Sequence, residues 1–108
     1  MTKSHAILVL AVLITPPASA QSVQLTWTQS VTVGVTSNNV HRGTAEGGPY
    51  SPIHSSSSPI VSYTDTDVTV GGYYCYVVTA IVHGRESKRS NESCVRVTTQ
   101  VPTVVKAK

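Results

Sequence analysis

Apolar and polar residues alternate in several short segments of this 108-residue chain. In the first segment, Val23–Thr28, the apolar residues Val23, Leu25 and Trp27 are separated by polar ones. A period of two residues is typical of a β-strand that buries one face. This segment is therefore predicted to be a strand with Trp27 in the core. Shorter strands are predicted, in chain order, at Asn39–Arg42, Tyr50–Ile53 and Val61–Thr64.

The strongest strand signal is Gly71–Val82, where β-branched and aromatic residues follow two turn-forming glycines. Apolar side chains occupy both faces of this segment, which predicts a central strand flanked by neighbours. Its core residues are predicted to include Tyr74, Tyr76 and Val78, which share one face. In contrast, the serine run Ser55–Ser58 is predicted to be a flexible connection, because it has no apolar area to bury.

The strands are short and are separated by glycine, proline and serine residues. No segment after residue 20 has the apolar period of a helix. This pattern predicts an all-β, antiparallel sandwich, and the length of the chain allows one such domain.

The N-terminus has the features of a secretory signal peptide. Lys3 precedes the apolar run Ala6–Ile14, and the small residues Ala18–Ala20 follow it. We predict cleavage before Gln21. The alternative is a membrane anchor, but the run is much shorter than the ~20 residues that span a bilayer. The mature protein is therefore expected to be secreted, periplasmic or at the cell surface, with no membrane insertion.

These boundaries place the folded domain at residues 21–99 and leave residues 100–108 as a C-terminal tail or linker remnant. Removal of Lys3 with the signal peptide lowers the formal net charge from +3 to +2. So small a charge argues against a nucleic-acid partner. The late cations are interleaved with Glu86 and Glu92, which is typical of a solvated edge.

A hairpin that follows the central strand predicts a disulfide. If Val82 pairs with Ser87 around the four-residue loop 83–86, Cys75 lies directly opposite Cys94. The oxidising compartment expected for an exported chain favours a disulfide between them over two buried free thiols. A metal site is not predicted, because two cysteines and scattered histidines supply too few ligands in one place.

The order of these segments resembles the fibronectin type III family, in the version found in exported bacterial proteins. Val23–Thr28 resembles strand B of that family, Asn39–Arg42 resembles strand C and Ser62–Asp65 resembles strand E. Gly71–Ala80 is similar to the family's E-to-F corner and strand F. The resemblance implies an immunoglobulin-like sandwich in which Tyr74 is the corner tyrosine, its hydroxyl bonded back to the chain near the corner.

The chain also departs from the family pattern. No strand A is predicted before strand B in the mature chain, which implies an open sheet edge. Asn38 and His41 stand where the family usually has aromatic residues in strand C. The family's adhesive Arg-Gly-Asp tripeptide is absent from the F-to-G loop.

The sequence predicts no catalytic residues, no cofactor and no metal. It has no Gly-x-Ser-x-Gly elbow for a nucleophilic serine, and several of its serines cluster in the run Ser55–Ser58. Asp65 and Asp67 are too few for a calcium loop and are typical of a turn.

Two functions are compatible with these sequence features. The first is an exported, non-catalytic module that binds an extracellular protein or glycan, and the second is a structural spacer of a secreted multidomain protein. For a binding module, the hairpin tip would present cations to an anionic partner. The competing interpretation is an ordinary solvated tip. The candidate binding residues are His83, Arg85, Lys88 and Arg89.

Processing is the first testable prediction. N-terminal sequencing of the exported protein should give Gln21 as the first residue, because signal peptidase reads the small residues at Ala18 and Ala20. A membrane-bound chain that still begins at Met1 would instead support the anchor.

Overall fold

A computed structural model describes residues 13–15 and 22–98 of the chain. The described part contains strands and no helix, so it has no helix long and apolar enough to cross a membrane. The strands are β1 (Leu13–Thr15), β2 (Val23–Thr26), β3 (Val35–Gly43), β4 (Ser51–Ser57), β5 (Ser62–Asp65), β6 (Tyr73–Val82), β7 (Arg85–Glu86) and β8 (Ser93–Arg96).

The strands form two antiparallel sheets. The smaller sheet has the order β1-β2-β5, and the larger has the order β4-β3-β6-β7, with β8 also paired to β6. The central position predicted for Gly71–Val82 is confirmed, because β6 pairs with three other strands. The antiparallel all-β sandwich is likewise confirmed.

The core lies between the sheets. Leu25 from the smaller sheet and Tyr76 from the larger sheet are both 0% exposed, and Trp27 is 4% exposed. Tyr74 is half-buried and packs against this cluster. Its hydroxyl accepts a hydrogen bond from the Thr69 backbone N–H at 3.1 Å, as in the tyrosine corner of related sandwiches. The other fully buried members include Val23, Val40 and Val78.

A strand precedes β2 in the full chain, whereas the predicted lack of strand A concerns the mature chain that begins at Gln21 and stays a prediction. β1 pairs with β2 in antiparallel register, with Ile14 opposite Leu25, and it occupies the edge that was expected to be open. β1 lies within residues 1–20, which are interpreted as a signal peptide. A short apolar run does not by itself distinguish a strand from part of a signal sequence. The predicted cleavage site and the tail 100–108 lie outside the described residues.

The predicted four-residue hairpin loop is also wrong. Val82 pairs with Arg85 rather than with Ser87, so the loop consists only of His83 and Gly84. Both residues have positive φ, 52° and 77°, as a two-residue type I′ turn requires. Histidine seldom adopts a positive φ, so the dipeptide His83-Gly84 does not identify a two-residue turn from the sequence.

The cysteine register is nevertheless the predicted one, because the chain bulges between the tip and β8. Residues 77–80 of β6 face residues 87–92, two more than an even ladder would place there. Ser87 and Ser90 accommodate the difference. Each donates its backbone N–H to β6 and also accepts a β6 backbone N–H on its Oγ, at 2.8 to 2.9 Å. Side-chain oxygens thus replace the carbonyls that the bulge displaces.

Cys75 and Cys94 lie directly opposite each other on β6 and β8. Their Cα atoms are 4.0 Å apart and their sulfur atoms form a disulfide. Both side chains are on the outer face of the larger sheet, because Tyr74 and Tyr76 on either side of Cys75 belong to the core side.

The serine run was wrongly predicted to be a flexible connection. Ser55, Ser56 and Ser57 instead belong to β4 and pair with β3. β4 is an edge strand, and its backbone hydrogen bonds hold it there without a continuous apolar face. A polar edge strand of this kind has no alternation of apolar and polar residues, so the sequence pattern does not predict it.

A buried carboxylate connects the two sheets. Asp65 at the end of β5 is 1% exposed. Arg42 from β3 donates Nη1–H to both carboxylate oxygens, at 3.1 and 2.9 Å. The Tyr76 hydroxyl on β6 donates to Oδ2 at 2.7 Å, and the Asp67 backbone N–H donates to Oδ1 at 3.1 Å. Burial together with this hydrogen bond to Asp65 raises the pKa of Tyr76 well above its ordinary value.

The exchange Asp65→Asn should lower the free energy of unfolding by about 3 kcal/mol, because it leaves the Arg42 guanidinium without its buried counter-charge. Urea unfolding followed by Trp27 fluorescence measures the change. Asp67→Asn is the matched control, because Asp67 is 93% exposed and its ion pair should contribute under about 1 kcal/mol. Equal stabilities for the two variants would contradict the role of Asp65.

Candidate functional site

Three connections meet at one end of the sandwich, which we call the loop end. They are residues 27–34 between β2 and β3, residues 58–61 between β4 and β5, and the turn 83–84 between β6 and β7. The strand registers bring them together, since Val35 lies opposite Val82 and Thr26 lies opposite Ser62.

The longest of these connections is fixed at both of its ends. Gln29 and the fully buried Asn38 exchange two amide hydrogen bonds, at 2.9 and 3.2 Å. At its other end, a Cβ atom on Gly34 would lie only 3.2 Å from Nε2 of His83, so the loop packs against the hairpin tip. A loop held in this way can present its side chains in a defined arrangement.

The side chains presented by this loop are apolar. Val31 is 81% exposed and Val33 is 87% exposed. Ile60 in the neighbouring connection is 48% exposed. The sequence pattern did not mark these valines as site residues. One sequence feature could have identified them as exposed. They alternate with the polar residues Ser30 and Thr32 in a segment that Gly34 makes too irregular for a strand.

The structure separates the four predicted binding residues. His83 and Arg85 lie at the loop end and are exposed, and Lys88 is exposed on the bulge that follows. Arg89 lies elsewhere, with its guanidinium carbon 4.9 Å from the ring centre of Tyr50. Tyr50 precedes β4 at the opposite end of the sandwich. Arg89 therefore does not share a surface with the hairpin tip.

A hydroxyl, an imidazole and a carboxylate meet on the outer face of the larger sheet. Thr79 Oγ1 donates to Glu86 Oε2 at 2.6 Å, and His41 Nε2 lies 3.0 Å from the same oxygen and 3.1 Å from Thr79 Oγ1. His41 thus has a polar role at the position where the family has an aromatic. The hydrogen bond from Thr79 lowers the pKa of Glu86, and His41 and Asn39 add to the effect.

This arrangement does not support nucleophilic catalysis. A catalytic triad needs the two nitrogens of the histidine to contact different partners, the hydroxyl on one side and the carboxylate on the other. Here a single nitrogen of His41 faces both partners, and the Thr79 proton points to the carboxylate. The contacts instead fix the second strand of the hairpin, through Glu86, to β3 and β6.

A second polar cluster, which we call the Tyr50 clasp, lies at the other end of this face. It consists of Tyr50, Glu92, Gly47 and Arg89. The carboxylate of Glu92 accepts hydrogen bonds from the Tyr50 hydroxyl and, at 2.8 Å, from the Gly47 backbone N–H. These two bonds lower the pKa of Glu92. The clasp attaches the connection between β3 and β4 to the segment before β8.

The aromatic rings near the clasp are covered by guanidinium groups. Arg89 lies over Tyr50, and Arg96 lies over Tyr73 at 5.2 Å from the ring centre. The Tyr73 hydroxyl donates to Glu46 at 3.0 Å. One face of each ring is thus occupied by a cation.

The described residues include one group of potential metal ligands, formed by Cys75, Cys94 and Glu92. Thiolates are the form in which cysteine binds metals. Because the two sulfur atoms are bonded to each other, they are not available as thiolate ligands.

Comparison with known proteins gives relatives in sequence and in structure, although no family model matches the chain. A segment of 71 residues is 46% identical to part of an amylopullulanase from Thermoanaerobacter thermohydrosulfuricus. This match spans 65% of the present chain but only 5% of the amylopullulanase. The chain is therefore similar to one small part of a much larger protein.

Among solved structures, an Fn3-like protein from Clostridium thermocellum is 32% identical, with a TM-score of 0.71 over 94% of this chain and 99% of that one. A fibronectin type III domain from a human protein has a TM-score of 0.73 at 14% identity, over 94% and 80% of the two chains. Pectate lyase PelI from Erwinia chrysanthemi has a TM-score of 0.70 at 19% identity, over 81% and 28%.

The lowered pKa of Glu86 predicts a pH-dependent contribution to stability. Because the folded-state pKa lies below the ordinary value of 4.5, the ionised carboxylate stabilises the fold above that pH, and the contribution is lost as the pH falls through the folded-state pKa. Glu86→Gln should therefore be less stable than the parent at pH 7, by about 1 kcal/mol or less. The difference should disappear near pH 2.

Thermal unfolding of the parent and the variant across this pH range measures the effect. Glu46→Gln serves as a control for removing a carboxylate outside the cluster. A stability difference that is the same at pH 2 and pH 7 would contradict the ionic contribution of Glu86.

Proposed function

Because this chain belongs to the fibronectin type III family, we propose that it is an exported, non-catalytic module that binds a protein partner through its loop end. Members of this fold commonly act as modules of larger proteins, and the similarity to a small part of an amylopullulanase supports such a role. The cysteine pair supports export, since disulfides persist in oxidising compartments.

The exposure of Val31 and Val33 carries this proposal. These two neighbouring apolar side chains are 81% and 87% exposed to water. Burying them against a partner would lower the free energy through the hydrophobic effect. The Gln29–Asn38 amide pair holds their loop on the core, so little conformational entropy is lost when a partner binds. Arg85 beside the turn adds a cation that can pair with a carboxylate of the partner.

A protein suits this surface better than a glycan. Valine side chains pack well against other apolar side chains at the centre of a protein interface. Sugar rings are polar and stack on open aromatic faces, whereas the exposed large apolar side chains of the loop end, Val31, Val33 and Ile60, are aliphatic.

The second candidate function is a spacer within a larger secreted protein. The observation that favours it is the coverage of the amylopullulanase, of which the matching segment is 5%. A spacer needs a stable fold and defined ends but no partner at the loop end. The two functions therefore make opposite predictions for the exposed valines.

The test is a double exchange, Val31→Ser with Val33→Ser, in the full chain. The parent, immobilised on beads, should retain a protein from the native extracellular fraction, and the double variant should bind that protein at least about tenfold more weakly, because the buried apolar area is lost. Affinity for the purified partner is then measured by calorimetry. Arg85→Ala should also weaken binding and reduce its salt dependence, with an unchanged melting temperature.

Val70→Ser is the matched control, because Val70 is a 45% exposed valine at the opposite end of the sandwich. It should bind like the parent. Equal retention by the double variant would remove the loop end as the contact, and retention of nothing by the parent would favour the spacer.

A further inference from the structure

The Tyr50 clasp lies directly beside the disulfide. A carboxylate oxygen of Glu92 and the sulfur atoms of Cys75 and Cys94 all lie within 4.8 Å of one another. Cys75 is 0% exposed, although it is on the outer face of the sheet. Something other than the core therefore covers this sulfur.

The ring of Tyr50 lies against the β3 residue next to Cys75. Gly43 is the residue directly opposite Cys75 on β3. A Cβ atom on Gly43 would lie 3.2 Å from Cδ1 of Tyr50 and 2.6 Å from the carbonyl oxygen of Pro49. Since glycine has no side chain, the loop and the ring of Tyr50 can approach the strand closely next to Cys75. The hydroxyl of the ring then reaches Glu92.

Reduction of a disulfide begins when an external thiolate attacks one sulfur. In this protein Cys94 is half-buried and is the more exposed of the two cysteine residues, so we take its sulfur as the one attacked. A bond forms between the external sulfur and Sγ of Cys94, the Cys75–Cys94 bond breaks, and its electron pair leaves on Sγ of Cys75. A second external thiolate then attacks the mixed disulfide and releases the thiolate of Cys94.

The position of Glu92 opposes both charged species in the first step. The attacking thiolate and the leaving thiolate are both negative. The leaving thiolate forms on one of the two sulfur atoms within 4.8 Å of the carboxylate oxygen, and the attacking thiolate approaches the other. Repulsion slows the approach of the first and disfavours the formation of the second.

We propose that the Tyr50 clasp protects the Cys75–Cys94 disulfide from thiol reductants, with the ring of Tyr50 blocking access to the sulfur atoms and the carboxylate of Glu92 repelling thiolates. Glu92 is ionised at neutral pH, as carboxylates ordinarily are, and its hydrogen bonds further stabilise the charged form. The protection does not depend on the binding role proposed for the loop end.

Two cations near the disulfide act in the opposite direction. Arg89 lies over Tyr50, and Arg96, two residues beyond Cys94, lies over Tyr73. Both cations attract negative thiolates, whereas Glu92 repels them. Whether the site as a whole attracts or repels a thiolate depends on the sum of these charges. The contribution of Glu92 is the difference between the parent and a variant in which only that carboxylate changes.

The experiment measures the rate of reduction of the full chain by three small thiols, cysteamine, 2-mercaptoethanol and mercaptoacetate, at equal thiolate concentrations. Alkylation and intact mass report the reduced protein. In Glu92→Gln, the ratio of the mercaptoacetate rate to the cysteamine rate should rise roughly fivefold over the parent, as expected for removal of one charge at this distance. Glu46→Gln should change the ratio much less, because Glu46 is bonded to Tyr73 and does not belong to the group within 4.8 Å of the sulfur atoms.

The ring of Tyr50 has a different signature. Tyr50→Ala should accelerate all three thiols several-fold, because access does not depend on charge. Tyr50→Phe keeps the ring and loses the bond to Glu92, so it should keep most of the protection against 2-mercaptoethanol, which has no charged group besides its thiolate.

A variant that unfolds more readily is recognised by kinetics, because reduction limited by unfolding is independent of the thiol concentration. Rates are therefore compared where they increase in proportion to thiol. If Glu92→Gln has the same ratio of mercaptoacetate rate to cysteamine rate as the parent, the carboxylate has no protective role. If Tyr50→Ala is reduced at the parent's rates, the ring has none.

Discussion

The packing of the two sheets depends on the carboxylate of Asp65. Among the described residues, Asp65 is the charged side chain that is fully buried. Removing its charge from water is costly unless the carboxylate oxygens accept hydrogen bonds in the folded protein. Arg42 and Tyr76 supply hydrogen bonds from the larger sheet, and the Asp67 backbone supplies another. A slip of one residue in either sheet would leave this charge unpaired. The network therefore selects one alignment of the sheets, which apolar contacts alone specify less strictly.

Much of the fold follows from local patterns in the sequence. The alternation of Val23, Leu25 and Trp27 predicted a one-sided strand, and β2 has that form with its apolar residues buried. The pairing of Cys75 with Cys94 followed from the assumption of a regular hairpin, and the register at the base of β6 agrees. It agrees because the two-residue error at the tip is compensated by the bulge that Ser87 and Ser90 stabilise. A correct contact was thus predicted through an incorrect loop.

The remaining features depend on contacts between residues that are distant in the sequence. Tyr50 and Glu92 are separated by 42 positions and His41 and Glu86 by 45, so no local pattern marks them as partners. Asn38 illustrates the same difficulty. In the sequence it looks like a polar substitution for an aromatic, but in the structure it is fully buried because Gln29 satisfies its amide. Polar residues in such positions can be interpreted only when the partner is known.

The two ends of the sandwich have opposite physical characters. At the clasp end, carboxylates, phenols and guanidinium groups satisfy one another, and a new partner would have to break those contacts before it could form its own. At the loop end, Val31 and Val33 are held by a rigid base but are covered by nothing in the described part of the chain. A macromolecule that docks there gains apolar burial without displacing existing hydrogen bonds. The disulfide lies beside the Tyr50 clasp and joins β6 to β8. A partner that binds at the loop end therefore does not have to expose it.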